Sequence, residues 1–167
     1  MSEYIKCSYC NEEVTPDSDF CPHCGVLFKE SENIRCDEHQ QNQASGVCII
    51  CQRLLCHECG VKITRRIFCE AHRKVQVQED WAEVFRSTEI ADAELIKSLL
   101  ESTGLKVLEQ NCSPKGSIWE GDSSIWRSNI NKPAKVLVPI PDYLKAMEVV
   151  YDWRSSQAVI QFGDTGL

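Results

Sequence analysis

Apolar residues recur with the period of regular secondary structure only in the second half of this chain. Residues 81–86 alternate between apolar and polar side chains, which predicts a half-buried strand. Apolar residues then follow at three-to-four spacing, which predicts a helix that Ser87 or Thr88 caps and Gly104 ends. We expect its buried side to hold Ile90, Ala93, Ile96, Leu99 or Leu100, and Thr103.

Two further strands and a second helix are predicted beyond Gly104. Residues 105–109 and 134–140 are apolar enough for strands, and a long polar connection separates them. Pro141 then opens a helix, whose inner face we expect to hold Leu144, Met147, Val150 and Tyr151. The order strand, helix, strand, strand, helix indicates an α+β domain over residues 80–157, with its helices on one face of a small sheet.

Cysteine and histidine dominate the chain before residue 73. Ten of the eleven cysteines stand in pairs with a two-residue gap, and Cys112 is left over. The six pairs are Cys7/Cys10, Cys21/Cys24, Cys36/His39, Cys48/Cys51, Cys56/Cys59 and Cys69/His72. Each pair places two ligands on one tight turn, and two such turns complete a four-ligand zinc shell. Twelve ligands therefore predict three zinc ions per chain.

Composition sharpens the contrast between the two halves. Residues 1–72 are too polar to bury a large core, so we expect metal to stabilise them and apolar packing to stabilise the rest. The opening residues 1–6 lack the apolar core of a signal peptide, and no stretch approaches a membrane span, which predicts a cytoplasmic protein without membrane contact. Cysteines stay reduced in the cytoplasm, which favours metal binding over the alternative of a disulfide scaffold.

The charge balance argues against a nucleic-acid partner. The formal charge is −7, and only residues 36–78 are basic, at +2. Binding to DNA or RNA would depend on the small clusters Arg65-Arg66 and Arg73-Lys74, which are the kind of charges that usually form a solvated surface.

Residues 7–25 resemble the small zinc ribbon of prokaryotic proteins, with Cys-Pro-His-Cys-Gly at 21–25 as its second knuckle. Gly25 is suited to a positive φ there, and Asn11, in place of the usual glycine of the first knuckle, tolerates the same conformation. His23 is interpreted as a bystander, since its neighbours already supply two ligands. The ribbon is predicted to span residues 1–30, and iron in a rubredoxin-like site is the competing assignment.

Residues 36–72 are similar to a B-box-type zinc finger, predicted to span residues 34–75. That resemblance implies that alternate pairs share an ion in a cross-brace. One ion would then be held by Cys36, His39, Cys56 and Cys59, and the other by Cys48, Cys51, Cys69 and His72. Stoichiometry alone leaves a sequential pairing open. Four protein ligands per ion predict closed, structural zinc, so a general-base role for His57 or Glu58 would lack an open metal beside it.

Residues 81–154 resemble the prokaryotic signal-transducing domain, a ferredoxin-like fold related to nitrogen-regulatory signalling proteins. The resemblance rests on the helix AELIKSLLESTGL and on the later AxxVV helix. It implies a module that senses a partner or a small-molecule ligand. Within the polar connection, Trp119, Trp126 and Arg127 are candidate partner-binding residues, and residues 158–167 are predicted to be a flexible tail.

These features together predict a non-enzymatic zinc-binding adaptor or regulatory protein that binds another protein. Three alternatives stay open at this point: a thiol-redox protein, a ubiquitin-ligase-like module and a nucleic-acid-binding zinc protein. A redox role would need an exposed cysteine of low pKa, whereas six ligand pairs in succession are better explained by metal.

Overall fold

The computed structural model describes residues 4–28, 33–110 and 133–162, with side chains as far as residue 157. The chain divides into two compact units, Met1–Val75 and Gln76–Leu167. None of the helices among the described residues carries an apolar stretch that would reach across a membrane.

The N-terminal unit is built from short antiparallel strand pairs. In the part of it that the structure describes, β1 pairs with β2, β3 with β4 and β5 with β6. The strands are β1 (Ile5–Lys6), β2 (Glu13–Val14), β3 (Gly46–Val47), β4 (Leu54–Leu55), β5 (Gly60–Ile63) and β6 (Arg66–Cys69). An isolated two-stranded pair is marginally stable in water, so strands of two to four residues need another source of stability.

Strands β5 and β6, of four residues each, form a hairpin. Thr64 and Arg65 form its turn, and both have positive φ, at 45° and 62°. Such a two-residue turn has the backbone twist of the flanking strands. Ile67 and Phe68 on β6 are buried.

Backbone hydrogen bonds join the predicted ribbon to the predicted finger. The amide of Val47 donates to the carbonyl of Gly25 at 2.7 Å, and the amide of Ile67 donates to the carbonyl of Cys24 at 2.9 Å. Gly25 has a φ of +81°, and a Cβ atom added to it would lie 2.0 Å from the carbonyl oxygen of Val47. The turn that holds Cys21 and Cys24 is therefore hydrogen-bonded to residues of the following module.

The C-terminal unit contains a four-stranded antiparallel sheet. Its spatial order is β7 (Val77–Gln78), β8 (Trp81–Ser87), β10 (Ala134–Pro139) and β9 (Leu108–Gln110). Strands β8 and β9 both run antiparallel to β10 and hence parallel to each other, with helix α1 (Ile90–Ser102) between them in the chain. This is a split β-α-β arrangement. The predicted α+β class is confirmed, and the additional strand β7 is too short to show an alternating pattern.

A β-bulge interrupts β8. Val136 pairs with Phe85, whereas the next residue, Leu137, pairs with Glu83, so Val84 is an extra residue in β8. A bulge breaks the alternation of faces, which explains why the consecutive residues Val84 and Phe85 are both buried.

Helix α1 agrees with the predicted pattern in its middle and differs at its ends. Ala93, Ile96 and Leu100 are buried, as expected. Ile90 is 44% exposed and Thr103 is also exposed, because the first opens the helix and the second follows its last residue. The N-cap is Glu89, rather than Ser87 or Thr88. Ser87 instead accepts a hydrogen bond from the Glu89 amide and donates one to Asp92.

The helix stop predicted at Gly104 is confirmed. Gly104 has a φ of +81°, and its amide donates to the carbonyl of Glu101 at 2.9 Å. The strand that follows is shorter than predicted, since β9 begins at Leu108 rather than at residue 105.

The second helix, α2 (Tyr143–Phe162), uses a different face from the one predicted. Val150 is buried as expected, but Leu144 and Tyr151 are 45% and 70% exposed, and Met147 is half-buried. Tyr143 and Ala146 are buried instead, so the inner stripe starts one residue earlier. Trp153 on this helix contacts Phe85 edge to face, with ring centroids 5.5 Å apart.

Both ends of α2 differ from the prediction. Pro141 lies in a short 3-10 turn, Ile140–Asp142, and the α-helix begins after it. The helix continues to Phe162, five residues into the segment predicted as a tail, because the sequence has neither glycine nor proline between Tyr143 and Phe162. The remaining tail residues, 163–167, lie outside the described part of the chain.

Candidate metal centres

The twelve predicted ligands come together in three groups of four. Within each group one ligand atom per residue lies within 4.8 Å of the others. Group 1 consists of Cys7, Cys10, Cys21 and Cys24; group 2 of Cys36, His39, Cys56 and Cys59; and group 3 of Cys48, Cys51, Cys69 and His72. Groups 2 and 3 each combine two pairs that alternate along the chain with the pairs of the other group. This is the interleaved arrangement and not the sequential one.

Left-handed backbone shapes the ligand turns. Asn11, Gly25 and Gln52 each follow the second cysteine of a pair, with φ of 69°, 81° and 58°. Their amides donate, at 2.8–2.9 Å, to the carbonyls of Cys7, Cys21 and Cys48 respectively. The positive φ expected at Asn11 and Gly25 is confirmed. The positive φ of Gln52 was not predicted, because glutamine gives no local signal for this conformation.

The spacing inside group 1 fits a tetrahedral ion. The Sγ atoms of Cys7 and Cys24 are 3.8 Å apart, and those of Cys10 and Cys21 are 3.6 Å apart. Tetrahedral zinc with bonds of about 2.3 Å to sulfur would hold its thiolates about 3.8 Å from one another. A disulfide bond would require about 2.05 Å, and all of the described cysteines are free.

Groups 2 and 3 show the same fit with mixed ligands. In group 2, the Sγ atom of Cys59 lies 3.8 Å from that of Cys36 and 3.1 Å from Nδ1 of His39. In group 3, Cys51 and Cys69 are 3.8 Å apart through their Sγ atoms, and Nδ1 of His72 lies 3.2 Å from Cys69. Each group therefore offers a complete N/S donor set of the kind that zinc prefers.

Burial raises the pKa of the cysteine thiols, whereas hydrogen bonds from backbone amides lower it. For Cys7, burial raises the pKa, but hydrogen bonds led by the amide of Cys10 outweigh it and lower the pKa to about 7. For Cys21, burial dominates and raises the pKa to about 11. Desolvation likewise raises the pKa of Cys48 to about 11 and that of Cys59 to about 12. A bound cation would hold such desolvated thiols as thiolates.

Polar residues beside group 2 line a cleft of about 730 Å³ in the N-terminal unit. Its walls include Arg35, Asn42, His57 and Glu58. The Asn42 amide lies 3.8 Å from Sγ of Cys56 and donates to Glu58 at 3.4 Å. His57 and Glu58 are exposed and lie outside the four-ligand groups. His23 is half-buried and also lies outside these groups.

The basic clusters differ in their surroundings. Arg73 forms an ion pair of 3.0 Å with Glu70, so part of that cluster's charge is offset. Arg65 is exposed at the hairpin turn, and Arg66 beside it is half-buried. The candidate partner-binding residues Trp119, Trp126 and Arg127 lie outside the described residues, as does Cys112.

No family model matches this chain, and searches among curated proteins and among solved structures likewise find no match. Within the described residues, the geometry shows three Cys/His groups positioned to bind metal and an α+β unit with a four-stranded sheet.

Proposed function

We propose that this protein is a non-enzymatic zinc-binding adaptor, and that its N-terminal unit binds another protein. The observation that carries this proposal is the completeness of the three metal-binding groups. Each group supplies four protein ligands at tetrahedral spacing, so a zinc ion bound there has its shell filled and stabilises structure. The Cys and His residues of groups 1 to 3 would hold three ions per chain.

Within this proposal, residues 1–30 are a zinc ribbon and residues 34–75 a B-box-type finger. The alternate pairing of ligands in groups 2 and 3 supports the second assignment, since it is the pairing that the B-box resemblance implies. Residues 80–157 are a ferredoxin-like signal-transducing domain, which the split β-α-β arrangement supports. That domain would supply a regulatory input, either from a partner or from a small-molecule ligand.

The surface of the N-terminal unit has side chains suited to protein recognition. Tyr4 and Tyr9 are 61% and 40% exposed. The ammonium group of Lys62 lies 5.9 Å from the centre of the Tyr9 ring, which brings the ribbon and the β5–β6 hairpin onto one surface. Exposed tyrosine is enriched where proteins bind one another, because it offers a large contact area together with a polar group.

Site-specific photo-crosslinking in cells would test the proposal. A photoreactive phenylalanine analogue at position 9 should capture a defined protein partner. The same analogue at Tyr151, on α2 of the other unit and 70% exposed, is the matched control. Capture from position 9 alone supports recognition by the zinc-binding unit, and capture from position 151 alone would refute it.

A further inference from the structure

Arg53 lies between metal-binding groups 2 and 3. Its Nη2 atom donates to Sγ of Cys69 in group 3 at 3.7 Å, and Nη1 lies 3.0 Å from Oε1 of Glu38. The carbonyl of Arg53 accepts a hydrogen bond from the amide of Cys48 at 3.0 Å. The backbone of a ligand turn therefore holds this arginine in place.

Glu38 extends the same path to group 2. It stands in sequence between the ligands Cys36 and His39, and its Oε2 atom lies 3.8 Å from Sγ of Cys59. A metal-bound cysteine is a thiolate. A metal ion in group 2 would therefore leave Cys59 and Glu38 facing each other with like charges, while the other carboxylate oxygen is paired with Arg53.

Arg53 also lies beside group 3, which would be negatively charged with a metal ion bound. Three thiolates, one neutral histidine and a divalent ion leave the site negative overall. The guanidinium of Arg53, 3.7 Å from Sγ of Cys69, offsets part of that negative charge. An outer contact of this type orients a ligand and favours its thiolate form.

We propose that Arg53 is a shared counter-ion that couples the two metal-binding groups. It stabilises the thiolates of group 3, and through Glu38 it offsets the carboxylate that faces group 2. Removing Arg53 therefore weakens metal retention in both groups. Removing the charge of Glu38 has the opposite effect, because it relieves Cys59 and leaves the guanidinium free for group 3.

The experiment uses the full zinc-loaded chain. Zinc release to an excess of a chromogenic chelator gives the rates, and timed alkylation with peptide mass mapping assigns each release to a group of cysteines. The variants are Arg53→Ala, Arg53→Lys and Glu38→Gln. Arg86→Ala is the matched control, since Arg86 forms a comparable ion pair with Glu83 in the other unit.

We expect Arg53→Ala to speed release from group 3 about tenfold, with a smaller increase in group 2 and none in group 1. Arg53→Lys keeps the charge but loses the forked geometry, so its release rates should fall between those of the unaltered chain and those of Arg53→Ala. Glu38→Gln should slow release from group 2 by about twofold. The control should release zinc like the unaltered chain.

Two results would overturn the inference. One is faster release in Glu38→Gln, which would make the ion pair merely structural. The other is equal acceleration of all three groups in Arg53→Lys, which would indicate general unfolding. Should Arg53→Ala fail to fold, the lysine and glutamine variants still decide. The inference rests on the proposed zinc binding, and a chain that takes up no zinc at the loading step would refute that function instead.

Discussion

The two units of this protein differ in how their interiors are built. In the N-terminal unit the described strands have two to four residues, and buried cysteines form much of the interior. In the C-terminal unit α1 has 13 residues, and the central strands β8 and β10 have seven and six. Apolar side chains such as Ile96, Leu100 and Val136 fill that core. The comparison teaches that regular periodicity and ligand pairs are alternative ways to specify a fold.

The largest expected effect is that of metal removal. A strong chelator should unfold the N-terminal unit and leave the C-terminal unit folded, because only the first depends on ligand turns. Amide NMR spectra would show the loss of dispersion for residues of the first unit alone. Tryptophan fluorescence provides an internal control, since all four tryptophans follow residue 80. Simultaneous unfolding of both units would contradict the comparison.

A cavity in the C-terminal core should destabilise the C-terminal unit and leave the N-terminal unit unchanged. Leu100 is 0% exposed, so Leu100→Ala should reduce the free energy of unfolding of that unit by about 3 kcal/mol. Urea unfolding monitored by tryptophan fluorescence would measure the loss, and zinc content should not change. Leu95→Ala is the matched control, because Leu95 lies on the same helix and is 44% exposed. A similar loss in the control would show that burial does not set the cost.

Two glycines with the same backbone conformation sharpen the comparison further. Gly25 and Gly104 both have a φ of +81°, but an added Cβ would meet the Val47 carbonyl oxygen at 2.0 Å in the first case and nothing within 4 Å in the second. Gly104→Ala should cost about 1 kcal/mol, from the left-handed conformation alone. Gly25→Ala adds a steric clash and should cost about 3 kcal/mol. Thermal unfolding of the respective units would measure both, and equal costs would refute the proposed close approach.

Much of the fold could be predicted from local pattern. The helix stop at Gly104 and the left-handed residues Asn11 and Gly25 each have a signal in the neighbouring residues. Alternation predicted strand β8, but the bulge at Val84 depends on the partner strand, which no local window contains. The prediction of which face of α2 is buried was wrong for a similar reason. Tyr143 and Leu144 are both apolar enough for a core, and the contacts made by the folded helix decide between them.

The candidate sites were predictable in their ligands but not in their surroundings. The ligand pairs are visible in the sequence as spacings. Stoichiometry could not distinguish the interleaved grouping from the sequential one, because both give the same ligand types at each site. The contacts of Arg53 with Glu38 and Cys69 join residues about fifteen positions apart in sequence. Such contacts arise only when the ligand turns are folded, so no motif in the sequence indicates them.

Native mass spectrometry of the purified chain tests the central claim most directly. The account predicts three zinc ions per chain, released only after denaturation or chelation, with the ten paired cysteines as free thiols once the metal is removed. Fewer than three ions, or disulfide bonds among these cysteines, would contradict it.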